Sequence, residues 1–136
     1  MNESGPRPAG TWMLEELVEA VAAEALADPA HPTTAQRMLA DAPDGTARHM
    51  KAGLVALPPG FRGVPHVHDA EELTLCLRGS GTFTIGDEEL RVEPGTVLWT
   101  PADAPHVAHV DEDGDLTVLL YGYAPVGAPI TRLPEA

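Results

Sequence analysis

Apolar and polar positions change their period once along this chain. From Trp12 to about Ala27, Leu14, Leu17, Val18, Val21, Ala22 and Ala25 recur at helical spacing, and Glu15, Glu16, Glu19 and Glu24 share the remaining surface. The spacing predicts an amphipathic helix, capped by Thr11 and stopped at Asp28-Pro29. A second short helix is expected from Thr33 to about Leu39, then a turn over residues 41–45. Beyond Gly45 the segments shorten. Met50–Leu57, Leu73–Leu77, Thr82–Ile85, Glu89–Val92, Thr96–Thr100, His106–Val110 and Leu116–Tyr123 each end at Gly, Pro or Asp punctuation. Short strands at such regular spacing predict a β-sandwich or barrel. The expected organisation is a tail and helical arm (1–45), a barrel (46–124) and a proline-rich extension (125–136), which lies along the barrel or pairs with another subunit. The helix has one apolar face that needs a partner, either its own barrel or that of a second subunit.

The candidate chemistry sits between two of these strands. In Gly60-Phe-Arg-Gly-Val-Pro-His66-Val-His68-Asp-Ala-Glu-Glu72, two histidines stand one strand-step apart. Residues two apart on a strand face the same side, so both imidazoles can reach one metal ion. Glu72 opens the next expected strand, where its carboxylate can return beside them. His106, after the turn Pro101–Pro105, is the candidate fourth ligand. Imidazole and carboxylate donors suit zinc, iron, manganese, nickel or copper. A lone strand histidine is ordinarily a surface or core residue, and a lone glutamate is ordinarily solvated. The reading therefore rests on the four together with the glycines and prolines around them.

The neighbours read differently. Glu71 faces away from Glu72, and His109 has the wrong parity to join His106. His31 and His49 are ordinary. Asp69 is placed either to bond a ligating imidazole or to shape the turn. Thr74 and Cys76 share the side of Glu72; Cys76 reads as a small buried core residue, with a pocket role as the alternative. Trp99, Tyr121, Tyr123 and Met50 are assigned to core packing, with stacking on a substrate as the alternative.

Gly60-x5-His66-x-His68-x3-Glu72-x6-Gly79 resembles the first motif of the cupin superfamily, and Gly95-x5-Pro101-x-Asp103-x2-His106-x3-Val110 resembles the second. The second departs from the family where Asp103 stands for glycine and Val110 for asparagine. Aspartate tolerates the left-handed backbone that glycine supplies in turns, though less well. Val110 is not at a ligand position. The resemblance spans roughly residues 50–123. It implies an all-β double-stranded β-helix, a jelly-roll barrel, here with a short N-terminal helical arm. It implies one divalent transition metal ion held by His66, His68, Glu72 and His106, and a homodimer. Four protein ligands leave up to two positions open on a six-coordinate ion, as catalytic sites do. The implied activity is chemistry on a small oxygenated molecule: oxidation by dioxygen, or redox-neutral cyclisation, isomerisation or elimination. The chain is similar both to small cupins among polyketide-tailoring cyclases and to small dioxygenases. Glu72 is also the candidate catalytic base. A non-catalytic sensor of metal or small ligand is the alternative, and a storage or scaffold protein the third.

Composition narrows the partners. A chain of 136 residues suits one domain. Its net charge of −13 repels phosphate backbones and anionic bilayers, so neither nucleic acid nor membrane is expected as a partner. The single cysteine allows no internal disulfide. Met1–Gly10 is polar and lacks the apolar stretch of a secretory signal. No apolar run approaches the roughly 20 residues of a membrane span. The expectation is a soluble, cytoplasmic protein with a small-molecule substrate or ligand.

Overall fold

In the computed structural model, which describes residues 10–41 and 47–127, the first element is α1 (Leu14–Ala25). It starts later than expected. Met13, in extended backbone, is the N-cap and makes no side-chain cap bond, while Thr11 lies outside the helix. Leu17, Val21, Ala22 and Ala25 are the buried face, as the spacing predicts. That face packs on Ala35, Leu54, Ala56, Leu116 and Val118 of its own chain. The partner of the apolar stripe is thus the chain's own sheet. Each fully buried valine or leucine there contributes about 1.5–3 kcal/mol.

Eight strands follow: β1 (Ala35–Asp41), β2 (Lys51–Leu57), β3 (Ala70–Arg78), β4 (Gly81–Ile85), β5 (Glu88–Val92), β6 (Val97–Thr100), β7 (His106–Val110) and β8 (Thr117–Pro125). They form two sheets of order β1-β2-β8-β3-β6 and β5-β4-β7, with every pair antiparallel. This is the all-β jelly-roll layout, with the helix outside the larger sheet. Residues alternate between the two sides of that sheet. Leu54, Ala56 and Val118 meet α1, whereas Leu57, Cys76, Leu98 and Leu119 meet Phe83, Val92 and Val110 between the sheets. No described helix is long and apolar enough to cross a membrane.

The second helix expected over 33–39 is instead the edge strand β1. Gln36, Arg37, Met38 and Leu39 are good helix formers, but an antiparallel ladder from Ala35↔Ala56 to Asp41↔Lys51, with a register shift at Leu39, draws the segment into the sheet. Tertiary pairing overrides a propensity worth only tenths of a kcal/mol per residue. The tail before Gly10, most of the 41–45 turn and the end of the proline-rich extension lie outside the described residues.

One surface network ties the acidic turn after β7 to the smaller sheet. Ser80 Oγ donates to Asp111 Oδ2 at 2.7 Å, Arg91 Nη1 donates to Asp111 Oδ1 at 2.8 Å, and Arg91 Nη2 pairs with Oδ2. Arg91 first, then Ser80, lowers the Asp111 carboxyl from 3.8 to about 2. The native state therefore binds fewer protons than the unfolded chain between these values. The contribution is complete above the unfolded value and is lost as pH falls through about 2. Urea midpoints measured from pH 5 to pH 2 are expected to fall less steeply for Asp111→Asn than for wild type. Parallel profiles would remove Asp111 from the acid response.

Candidate metal centre

Residues of both sheets line a cavity of about 460 Å³. Its floor is continuous with the inter-sheet core, through Phe83, Leu98 and Leu119. His66, His68, Glu72 and His106 all line it. His66 and His68 are not in a continuous strand, as the alternation suggested. His66 forms an isolated antiparallel bridge with His106, and β3 begins at Ala70, ahead of Glu72. The bridge is closed by His66 N–H donating to His106 O at 3.1 Å and His106 N–H donating to His66 O at 2.9 Å. These bonds set the two imidazoles side by side, with ring centroids 4.1 Å apart.

The turn before His106 is held by Asp103, at φ 62°. Its N–H donates to His68 O at 3.0 Å, which ties the second histidine to the turn that presents the third. Aspartate thus takes the left-handed position, and the departure from glycine leaves the turn intact.

The three histidines each bring a donor atom within 4.8 Å of the other two. Glu72 stands on their flank, with Oε2 3.5 Å from His106 Nε2 and 3.7 Å from His68 Nε2. The fit to a metal ion follows from the hydrogen-bond inventory. His66 Nδ1 lies 3.0 Å from Val64 O, and His106 Nδ1 lies 3.0 Å from Ala104 O. A carbonyl only accepts, so each Nδ1 carries a proton and Nε2 is the ring atom turned to a metal. His106 Nε2 and His68 Nδ1 are buried side-chain nitrogens without a hydrogen-bond partner. A cation bound at the centre would supply a partner to His106 Nε2, which otherwise bears a desolvation cost of about 1–3 kcal/mol. The donor set is imidazole with a carboxylate alongside, which suits a first-row divalent ion without selecting one.

Other residues weighed from the sequence fall into place. Glu71 is exposed, and His109 lies in β7 opposite Thr82, bridged to Arg62 rather than joined to the triad. His31 pairs with Asp28 on the surface, and His49 and Asp69 are exposed. Cys76 is a core residue: its thiol points to Arg78 O and Gly79 O, and burial raises its pKa. Thr74, which shares its parity, does line the cavity.

The aromatic assignments need correction. Trp99 is 54% exposed and Met50 is 50% exposed, so neither is core. Tyr121 and Tyr123 line the cavity. Being two apart on β8, they share a side, and that parity was the available signal. Tyr123 stacks on the His68 ring at 4.9 Å, and Tyr121 lies 6.2 Å further on. Gln36 Nε2 donates to the Tyr121 hydroxyl at 2.5 Å, and that hydroxyl lies 3.5 Å from Met38 Sδ. Burial raises the Tyr121 pKa, against the Gln36 bond. Lys51 joins this wall opposite Tyr123 in the β2–β8 ladder. Tyr123 chiefly, then Asp41 and Tyr121, holds its ammonium above the ordinary lysine range against partial burial. Gln36 and Lys51 carry no sequence signal; strand register alone brings them to the site.

Comparison with known proteins places this geometry. An uncharacterized protein of Streptomyces coelicolor is 33% identical over 67 residues, which is 48% of this chain and 64% of that one. Acireductone dioxygenase 1 of Physcomitrium patens is 37% identical over 73 residues, which is 49% of this chain and 38% of that one. The chain thus spans less than two thirds of either curated relative. Among solved structures, TT1209 from Thermus thermophilus superposes with a TM-score of 0.58 at 29% identity, covering 68% of this chain and 84% of that one. Residues 53–122, just over half of the chain, match the cupin domain. A match of that extent, on a fold of this topology, makes the chain a member of the cupin family.

Proposed function

We propose that this protein is a mononuclear metal-dependent enzyme acting on a small oxygenated molecule. The observation that carries the reading is the histidine triad, with donor atoms mutually within 4.8 Å, opening onto a cavity of about 460 Å³. His66, His68 and His106, with Glu72 beside them, would hold one divalent transition ion. When bound, such an ion supplies Lewis acidity to a substrate oxygen or, if redox-active, access to dioxygen chemistry. The partial match to acireductone dioxygenase 1 supports the second of these without covering that whole protein.

The chain's own residues have definite tasks. Glu72 Oε2 stands beside two imidazoles and faces the cavity, so its carboxylate is the group placed to take a proton from a bound substrate. Val55, Phe83, Ile85, Leu98 and Leu119 form an apolar floor that offers bulk water no hydrogen-bond partner. The Tyr123 ring holds one face of His68.

Purified protein should carry about one equivalent of a first-row transition metal, read by elemental analysis. With candidate enols and hydroxy ketones, oxygen consumption marks the oxidative branch, and product formation without it marks the redox-neutral branch. Tight binding without turnover would replace the enzyme by a sensor. A protein that cannot be loaded with metal would overturn the reading altogether.

A further inference from the structure

One wall of the cavity has a chemistry of its own. Beside the apolar floor, on the larger sheet, Lys51, Tyr121, Tyr123 and Gln36 form a polar arc that starts against His68. Lys51 is the only lysine or arginine among the described lining residues, in a chain of net charge −13. Gln36, Lys51 and Tyr123 all lie outside the stretch that matches the cupin domain, whereas the triad and Glu72 lie inside it. Tyr121, by contrast, lies inside that stretch.

We propose that Lys51, backed by Tyr121 and Gln36, recognises a carboxylate at the far end of the small molecule whose near end meets the metal centre. The substrate class is a short acid with a chelating oxygen at one end and a carboxylate at the other. This rests on the metal-dependent function above. The layout supports it stepwise. The Tyr123 ring lies 4.9 Å from the His68 ring, Tyr121 lies 6.2 Å beyond, and Lys51 is paired with Tyr123 across the β2–β8 ladder. A molecule lying along Tyr123 would have its ends at the triad and at Lys51. The charge count favours a singly charged end group. Lys51 already has Asp41 opposite it in the β1–β2 ladder, and Glu72 flanks Tyr123 on its other side in the β3–β8 ladder, so a dianionic phosphate would meet one cation and two carboxylates. A lysine has three donors, enough to serve Asp41, a phenol and a carboxylate together. A carboxylate also accepts from a Tyr hydroxyl or the Gln36 amide, which a hydrocarbon end cannot.

The test uses the cobalt-loaded full chain and four probes. Malate is compared with α-hydroxybutyrate, and α-hydroxyglutarate with α-hydroxyvalerate. Each pair shares the chelating head and chain length and differs only in a terminal carboxylate or methyl. Cobalt absorbance reports contact with the metal, and calorimetry gives affinity. In at least one pair the diacid should bind about 10–100-fold tighter, the scale of a charge-assisted hydrogen bond. Lys51→Met should abolish that preference while keeping cobalt content and the affinity for the methyl-ended probe. Lys51→Arg should keep most of it. A loaded wild type without preference at either length, or a preference that survives Lys51→Met, overturns this inference and leaves the metal centre standing. A chain that takes up no cobalt overturns both.

Discussion

The His66→Ala, His68→Ala double variant is expected to lose its metal while keeping its fold. These residues supply two of the three donors that lie mutually within 4.8 Å. What would remain is His106 with Glu72, which is too few for a stable site open to solvent. Loss of an outer-shell partner alone costs roughly 10–100-fold in affinity, so removing two direct donors should cost more than about a thousandfold. The fold is insulated from the change for a structural reason. His66 is exposed, and neither side chain belongs to either hydrophobic core. The bridge from residue 66 to His106 is made by backbone atoms, which alanine retains. Metal content after dialysis against a weak chelator, with thermal unfolding in parallel, decides the matter. Retained metal in a folded double variant would show that the ion is held elsewhere.

The largest loss of stability from a single methyl group is expected at Gly79. This glycine has φ +83°, and a Cβ built on it would lie 2.5 Å from Thr117 Cα, 2.6 Å from Leu116 O and in clash with Thr117 Oγ1. Two of these neighbours are backbone atoms at the start of β8, the central strand that pairs with both β2 and β3. They cannot give way without moving that strand. The left-handed backbone costs an alanine about 1–2 kcal/mol, and forced overpacking adds about 1–3 kcal/mol. Gly79→Ala should therefore lose about 2–5 kcal/mol, a large share of a small domain's stability. Gly86 is the matched control, because its φ is also positive but its Cβ would meet nothing within 4 Å. Gly86→Ala should lose only the backbone part. Equal urea midpoints for the two variants would refute the close-approach argument. The last glycine of the first motif is thus explained by packing around β8 rather than by contact with a metal.

The motif residues and the fold were legible because they depend on short-range order. Turn residues at regular spacing announced the strands, and the helix face was readable from its period. His66, His68 and Glu72 lie within seven positions, so local geometry nearly decides their proximity. His106 is 38 positions from His68, yet its turn, with Asp103 in the left-handed region, was also readable. The failures share one cause. β1 has the composition of a helix and became a strand because β2 offered its ladder. Trp99 reads as core and is exposed because it points to the outer face of the larger sheet, with Val97 and Leu73, while its neighbour Leu98 enters the inter-sheet core.

By itself, then, the sequence determined an all-β cupin barrel with an apolar-faced helix and a cluster of metal-type donors, since period, turn chemistry and motif spacing are local properties. Only the tertiary structure decided that α1 covers its own sheet, that His66 is bridged to His106, and that Gln36, Lys51, Tyr121 and Tyr123 wall the cavity around the triad. Those facts depend on which strands pair and in what register, and a shift of one residue would turn every one of these side chains to the other face.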